Sequence, residues 1–231
     1  MTKIFCDIAD IKQIIKFNKK KIVKGFTTNP SLIRKAGAKD YKSYCKKILK
    51  ISKKKPVSLE VFADDYKNMM IQAIQINKWS KNVYVKIPVV NSKGVFMGKL
   101  IRNLNHRGIK LNITAVYTSK QSKMILKNIN KKTKTIISIF AGRMADVGKD
   151  PIPQVKESLK YSKRFKNVEI LWASTREAYN YLQAKQLGCH IITIPPSIID
   201  KILSFGKSHT SLTIDTVKSF LIDSKKSNFK I

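Results

Sequence analysis

The chain has few of the residues that build metal sites and disulfide frameworks. Its 231 residues include three histidines and three cysteines, and Cys6, Cys45 and Cys189 form no C-x-x-C pair. An odd number of widely spaced cysteines disfavours both a disulfide framework and a structural zinc site. No histidine has a second ligand at metal-binding spacing. We therefore expect no metal-dependent chemistry.

Long apolar runs are also missing. No stretch approaches the roughly 18 consecutive apolar residues of a membrane-spanning helix. Residues Met1 to Asn18 lack the apolar run and small-residue cleavage site of a secretory signal. These absences predict a cytoplasmic protein with no membrane partner.

Acidic residues are scarce, with 14 Asp and Glu against 47 Lys and Arg, so the net charge is +33. A basic chain can bind nucleic acid, anionic membranes or phosphorylated metabolites. However, 41 of the basic residues are dispersed lysines, clustered only at Lys19–Lys21 and Lys53–Lys55, whereas readers of base edges favour arginine. We interpret the charge as a composition bias and expect no specific nucleic-acid partner. A catalytically inactive, polyanion-binding barrel is the non-enzyme alternative.

Short β-branched apolar runs alternate with segments of helical period through most of the chain. Eight such units predict a (β/α)₈ TIM barrel over residues 1–206, and an open doubly wound sheet is the weaker alternative. The predicted strands are Ile4–Ile8, Val23–Thr27, Val57–Val61, Val83–Ile87, Lys110–Thr114, Thr135–Ile139, Glu169–Ala173 and His190–Ile194.

Residues 207–231 are predicted to form a linker and an extra C-terminal helix. The helix is expected over Ile214–Lys225, where Val217, Phe220 and Leu221 form an apolar stripe at helical spacing. It has no strand to cover, so we expect it to pack on the barrel wall or on a neighbouring subunit. The second arrangement predicts a homo-oligomer.

Polar residues at strand ends are the candidate site, because active sites of such barrels lie where strands end. Every predicted strand except the eighth supplies one. The candidates are Asp7, Asn29, Glu60, Lys86, Asn112, Thr114, Ser138, Arg143, Ser174 and Arg176.

Lys86 is the best candidate for covalent chemistry. It lies between Val85 and Ile87 in the fourth strand, and burial there would disfavour the ammonium and favour the nucleophilic amine that forms imines with ketones. Glu60, one strand away, could pair with it. The alternative is that Lys86 extends outward to solvent.

Seven motifs occur in the order T-T-N-P-S-L, S-L-E-V, V-K-I-P, L-N-I-T-A-V-Y, S-I-F-A-G-R, A-S-T-R and T-I-P-P. Together they resemble the short form of the transaldolase family, which also contains the fructose-6-phosphate aldolases. The resemblance spans about Ile4 to Leu203. It implies a class I, Schiff-base enzyme of the pentose phosphate pathway that acts on sugar phosphates without metal or organic cofactor.

The resemblance also implies roles for the candidate residues. Lys86 would form the imine, Asp7 would be the acid/base of carbon–carbon cleavage, and Glu60 would act through a water held by Thr114. The residues that would bind substrate are Asn29, Asn112 and Ser138 for the dihydroxyacetone unit, and Arg143, Ser174 and Arg176 for the phosphate.

Two positions separate the branches of the family. Glu60 and Phe140 are the transaldolase pair, where fructose-6-phosphate aldolases typically carry Gln and Tyr. Ile139 and Thr175 depart from the family pattern, which usually has Pro and an aromatic residue there. We therefore expect a transaldolase that moves a dihydroxyacetone unit from a ketose phosphate to an aldose phosphate. A class I aldolase, or a relative acting on another sugar phosphate, is the alternative.

Overall fold

The computed structural model describes residues 1–227. Eight parallel strands follow one another in chain order around a closed barrel, and β1 also pairs with β8. The predicted (β/α)₈ barrel is confirmed. The strands are β1 (Lys3–Asp7), β2 (Val23–Thr27), β3 (Val57–Glu60), β4 (Val83–Pro88), β5 (Leu111–Val116), β6 (Thr135–Ile139), β7 (Val168–Trp172) and β8 (Ile191–Ile194).

Helices cover the outside of the barrel. Eight of them follow the eight strands in turn, as the predicted alternation of segments requires, whereas two short helices after the second and sixth strands are additional. No helix within residues 1–227 is long and apolar enough to cross a membrane. The helices are α1 (Ile11–Asn18), α2 (Pro30–Lys35), α3 (Tyr41–Ser52), α4 (Tyr66–Asn77), α5 (Gly98–His106), α6 (Ser119–Leu126), α7 (Ala141–Ala145), α8 (Ile152–Ser162), α9 (Tyr179–Leu187), α10 (Pro196–Ile202) and α11 (His209–Ser227).

The strand-to-helix turns have local sequence causes. Asp10 and Asp65 each accept a hydrogen bond from the third backbone N–H of the following helix, and Asn29 does the same for α2. These residues satisfy N–H groups that a helix leaves unpaired at its start. These caps fix where the helices after β1, β2 and β3 begin.

The barrel interior is filled by side chains from several strands. Phe5, Tyr84, Ile136, Leu171 and Ile191 form one buried cluster, which also includes Ala173 and contacts Phe140. Gly25 on β2 leaves room for this cluster, because an added Cβ would lie 2.6 Å from the Phe5 ring. The barrel is consequently packed across its middle, with polar residues above the packed layer.

Helix α11 confirms the predicted C-terminal helix and begins five residues earlier than expected, at His209. None of its described residues is buried, and Val217, Phe220 and Leu221 are all exposed. Its apolar stripe is thus uncovered by the rest of residues 1–227. Packing against a neighbouring subunit stays a prediction.

Candidate active site

A cavity of about 280 Å³ opens at the carboxyl ends of the strands. It collects the predicted residues from six strand ends. The predicted residue of the third strand, Glu60, is not part of the lining but lies against Lys86. The lining residues are Asp7, Thr27, Asn29, Lys86, Asn112, Thr114, Ser138, Phe140, Arg143, Ala173, Ser174, Thr175, Arg176, Thr193 and Pro195.

Lys86 lies on β4 and is 7% exposed, so it does not extend outward to solvent. Its Nζ lies 3.0 Å from Glu60 Oε2 and donates a hydrogen bond to the Thr28 carbonyl oxygen at 2.8 Å. Glu60 and Lys86 are direct neighbours in the β3–β4 pairing. The buried amine therefore has a carboxylate within proton-transfer distance.

Asp7, at the end of β1, is held by a chain of hydroxyl groups. Thr27 donates to Asp7 Oδ1 at 2.6 Å, and the Thr27 and Thr193 hydroxyls are also hydrogen-bonded. Burial raises the pKa of Asp7 above its usual range, and the Thr27 hydrogen bond and the charge of Lys86 only partly oppose this. A raised pKa suits a carboxyl that must both take up and return a proton.

Three side chains from different strands form a hydrogen-bonded line across the floor of the cavity. Ser138 donates to Asn112 Oδ1 at 2.6 Å, and Asn112 Nδ2 donates to Ser58 Oγ at 3.0 Å. Asn112 is fully buried and is paired with Lys86 in the β4–β5 register. The amide is thereby fixed beside the lysine.

Thr114 is buried, and its hydroxyl has no hydrogen-bond partner within residues 1–227. Buried hydroxyl groups are rarely left unpaired. Because Thr114 lines the cavity, this hydroxyl is available to a substrate oxygen or to water.

Arg143 and Arg176 lie at the exposed edge of the cavity. Arg176 is paired with Asp146 through both Nε and Nη2, and its Nη1 donates to the Ser174 carbonyl oxygen at 3.1 Å. The Arg143 guanidinium lies over the Phe140 ring, with its Cζ 5.7 Å from the ring centre. Two guanidinium groups therefore line the same cavity, where they could bind a phosphate.

Gly142 brings the loops after β6 and β7 into close contact. A Cβ at this position would lie 1.6 Å from the Ser174 carbonyl oxygen. Ser174 itself has a positive φ of 65°, which L-residues with side chains seldom adopt. The loop that carries Arg143 and the loop that carries Arg176 are therefore held together by the close contact between Gly142 and the strained Ser174.

Sequence reasoning missed several members of the site. The expectation that β8 supplies no polar group is wrong, because Thr193 lines the cavity and contacts Thr27. It was overlooked since it lies between two isoleucines in the strand. Asp146 was missed because nothing in its local sequence indicates that it pairs with Arg176. Thr175, noted only as a departure from the family pattern, donates to the Thr193 carbonyl oxygen at 2.7 Å.

Comparison with known proteins places this geometry in a family. The sequence profile described as Transaldolase/Fructose-6-phosphate aldolase matches residues 4–231. The chain belongs to the transaldolase/fructose-6-phosphate aldolase family. A "Probable transaldolase" of Methanococcus vannielii is 33% identical over 222 residues, 96% of each chain. Another, from Thermoanaerobacter sp., is 31% identical over 230 residues, 99% of this chain and 100% of that one.

The barrel architecture also resembles solved structures of proteins with other names. A mandelate oxidase structure superimposes with a TM-score of 0.55 at 8% identity, over 84% of this chain and 64% of that chain. At such low identity the likeness shows the barrel alone. The chemistry has to be argued from the side chains.

Proposed function

We propose that the protein is a class I transaldolase. It would move a dihydroxyacetone unit from a ketose phosphate such as fructose 6-phosphate to an aldose phosphate such as erythrose 4-phosphate, through an imine on Lys86. The observation that carries this proposal is the 3.0 Å contact between Lys86 Nζ and Glu60 Oε2, beside a cavity that Asp7 also lines.

Imine formation begins with a proton transfer. Glu60 accepts a proton from the Lys86 ammonium, and the free amine attacks the ketose carbonyl carbon to form a carbinolamine. Glu60, through a water held by the unpaired Thr114 hydroxyl, returns the proton to the departing hydroxyl, which leaves as water. The product is a protonated imine that occupies the place of the ammonium.

Cleavage then uses the carboxyl group on the first strand. Asp7, in its ionised form, takes the proton of the hydroxyl next to the bond that breaks, and the bonding pair moves into the imine to give an enamine. The aldose phosphate leaves. An acceptor aldose phosphate then reacts with the enamine, and Asp7 returns the proton to the new hydroxyl. Water hydrolyses the imine that results, which releases the new ketose phosphate and restores the Lys86 amine.

The remaining residues would hold the substrate at its two ends. Asn29, Asn112 and Ser138 offer amide and hydroxyl groups to the three-carbon unit near Lys86. Arg143 and Arg176, together with Ser174, lie at the other end of the same cavity and would bind the phosphate. Guanidinium groups suit this role because they can bind phosphate with two parallel hydrogen bonds.

A class I aldolase acting on fructose 6-phosphate is the second candidate, because it would use the same lysine and the same cavity. Glu60 and Phe140 are the pair that supports the transferase. Transfer requires the enamine to survive until an acceptor arrives. Assays with and without an aldose phosphate acceptor distinguish the two, since a transaldolase turns over quickly only when acceptor is present.

The proposal places the enzyme in carbohydrate metabolism, in the pentose phosphate pathway and in the cytoplasm. Sugar phosphates are its partners, and it needs no cofactor, nucleic acid or membrane. The uncovered stripe of α11 supports a homo-oligomer, because an apolar helix face of this kind is usually covered.

Borohydride trapping tests the covalent step. Incubation with fructose 6-phosphate followed by borohydride should leave one three-carbon adduct per chain, and peptide mapping should place it on Lys86. Lys86→Met should lose both the adduct and turnover while its circular dichroism spectrum stays the same, because Met has a similar length and no charge. Lys110→Met is the matched control, since Lys110 is half-buried but lies before β5, outside the catalytic cavity.

The control variant should keep the adduct and its activity. Glu60→Gln should form the adduct more slowly. An adduct on another lysine, or full turnover by Lys86→Met, would contradict the proposal.

A further inference from the structure

Lysines lie at the beginnings of four of the eight strands. Lys3 is the first residue of β1, Lys24 is the second of β2, and Lys110 and Lys134 directly precede β5 and β6. Because all eight strands are parallel, these residues meet at one face of the barrel, opposite the catalytic cavity. Lysines that are far apart in the sequence therefore lie together at this face of the barrel.

This face contains a cavity of about 550 Å³. Seven of its lining residues are lysines and one, Glu169, is acidic. The lysines are Lys3, Lys24, Lys53, Lys54, Lys81, Lys110 and Lys134.

The positive charge of this lysine cavity is largely uncompensated. Glu169 pairs with Lys3, and within residues 1–227 none of the other six lysines has a carboxylate at ion-pair distance. Burial, and then the charge of Lys134, lower the pKa of Lys110. A concave wall of like charges focuses the field and attracts anions.

We propose that the lysine cavity is a binding site for a compact polyphosphate, inorganic or organic, that carries at least three phosphate groups. Six unpaired lysines in a cavity of this size match a ligand with several negative charges in a small volume. A single phosphate would leave most of the charge uncompensated.

The lining argues for a small polyanion over a nucleic acid. Single-stranded nucleic acids are bound through exposed aromatic side chains on which bases stack. The two aromatic residues here, Phe5 and Tyr84, are 2% and 7% exposed and form the floor of the lysine cavity. Lysines offer point charges without the planar geometry that reads base edges.

The lysine cavity is separate from the catalytic cavity. Phe5 and Tyr84 line the former, Phe140 and Ala173 line the latter, and all four belong to or contact the same packed cluster inside the barrel. Loss of lysines at one end should therefore leave the chemistry at the other end intact. The inference does not depend on the proposed function.

Titration calorimetry with inorganic triphosphate at 0.15 M salt tests the proposal. The variant Lys24→Gln/Lys54→Gln/Lys134→Gln removes three exposed lysines whose side chains make no hydrogen bond to described residues. The matched control, Lys46→Gln/Lys156→Gln/Lys185→Gln, removes the same charge from exposed positions on α3, α8 and α9. The first variant should bind triphosphate about tenfold more weakly or worse, and the control should change by less than about twofold.

Three further measurements separate the possible outcomes. Arg176→Ala should bind triphosphate as tightly as the wild type, because Arg176 does not line the lysine cavity; a loss as large as that of the lysine-cavity variant would overturn the proposal. Adenosine triphosphate should bind about as well as inorganic triphosphate if the phosphates alone are recognised, and better if an organic group contributes. Equal loss in both lysine variants would overturn the proposal, as would binding of a single-stranded oligonucleotide through these lysines with no binding of triphosphate.

Discussion

Arg176 and Asp146 form a bidentate ion pair at the edge of the catalytic cavity. Arg176 Nε lies 2.9 Å from Asp146 Oδ1, and Arg176 Nη2 lies 2.5 Å from Oδ2. The hydrogen bonds from Arg176 lower the pKa of Asp146, so the carboxylate stays ionised over a wide pH range. Because two hydrogen bonds define the plane of the guanidinium, Arg176 is oriented before any phosphate arrives.

Loss of Arg176 should weaken binding of phosphorylated donors selectively. Charge-assisted hydrogen bonds contribute roughly 1.5 to 3 kcal/mol each, so Arg176→Ala should raise KM for fructose 6-phosphate by about one to two orders of magnitude. Free dihydroxyacetone, which has no phosphate, should be affected much less. Steady-state kinetics with both donors measure the difference.

Arg102→Ala is a suitable control, since Arg102 is exposed on α5 and does not line the catalytic cavity. Its kinetics should match those of the wild type. Equal loss of activity of Arg176→Ala on both donors would show that Arg176 is structural or catalytic and does not bind phosphate.

The hydrogen bond from the Thr27 hydroxyl to Asp7 should set the position of the acidic limb in the pH profile of kcat/KM. Asp7 has to be ionised to act as a base, so kcat/KM falls as the pH drops through its pKa. The hydrogen bond from Thr27 lowers this pKa, and Thr27→Val removes the bond. The acidic limb of the pH profile should therefore move to higher pH.

Thr175→Val serves as the comparison for this pH profile, because the Thr175 hydroxyl binds the Thr193 carbonyl oxygen and does not contact Asp7. Its acidic limb should stay in place. A limb that remains fixed or moves downward in Thr27→Val would mean that Asp7 is not the group that titrates.

Gly142 should tolerate no side chain. Its missing Cβ would overlap the Ser174 carbonyl oxygen, and Ser174 cannot easily move because its backbone is already strained. Gly142→Ala should lower the free energy of unfolding by about 2 to 4 kcal/mol in urea denaturation. It should also raise KM for phosphorylated donors, since the displaced loop carries Arg176.

The nearby Gly148 provides the contrast for this stability measurement. An added Cβ there meets open space, and the only penalty is a positive φ of 72°, which costs about 1 kcal/mol. If Gly148→Ala destabilised the protein more than Gly142→Ala, the close contact with Ser174 would not be the controlling feature.

The strands were predictable because each is a short apolar run rich in β-branched residues. This signal lies in the local sequence and does not depend on the rest of the chain. The β3–β4 register confirms that Glu60 lies beside Lys86, since adjacent parallel strands put equivalent ends together. Helices α2 and α7 have only six and five residues, too few for a periodic apolar stripe. Asn29 followed by Pro30 is a helix-start signal that could have identified α2.

Other features of the site depend on which strands are neighbours in the barrel and leave no local signal. Asp146 and Arg176 are 30 residues apart and meet only because β6 and β7 are neighbours. Thr27 and Thr193 are separated by 166 residues and come together through closure of the barrel, in which β1 pairs with both β2 and β8. Contacts of this kind cannot be predicted from the spacing of residues in one sequence.

The burial of every cysteine makes the protein a convenient subject for site-specific labelling. Cys6, Cys45 and Cys189 are all free and buried, and burial raises the pKa of both Cys45 and Cys189 to about 12. The exposed thiolate is the form that attacks labelling reagents, so these native thiols should react slowly. A cysteine introduced on α11 would then be the single reactive position, and spin or fluorescent labels there would report directly whether two copies of the chain approach one another.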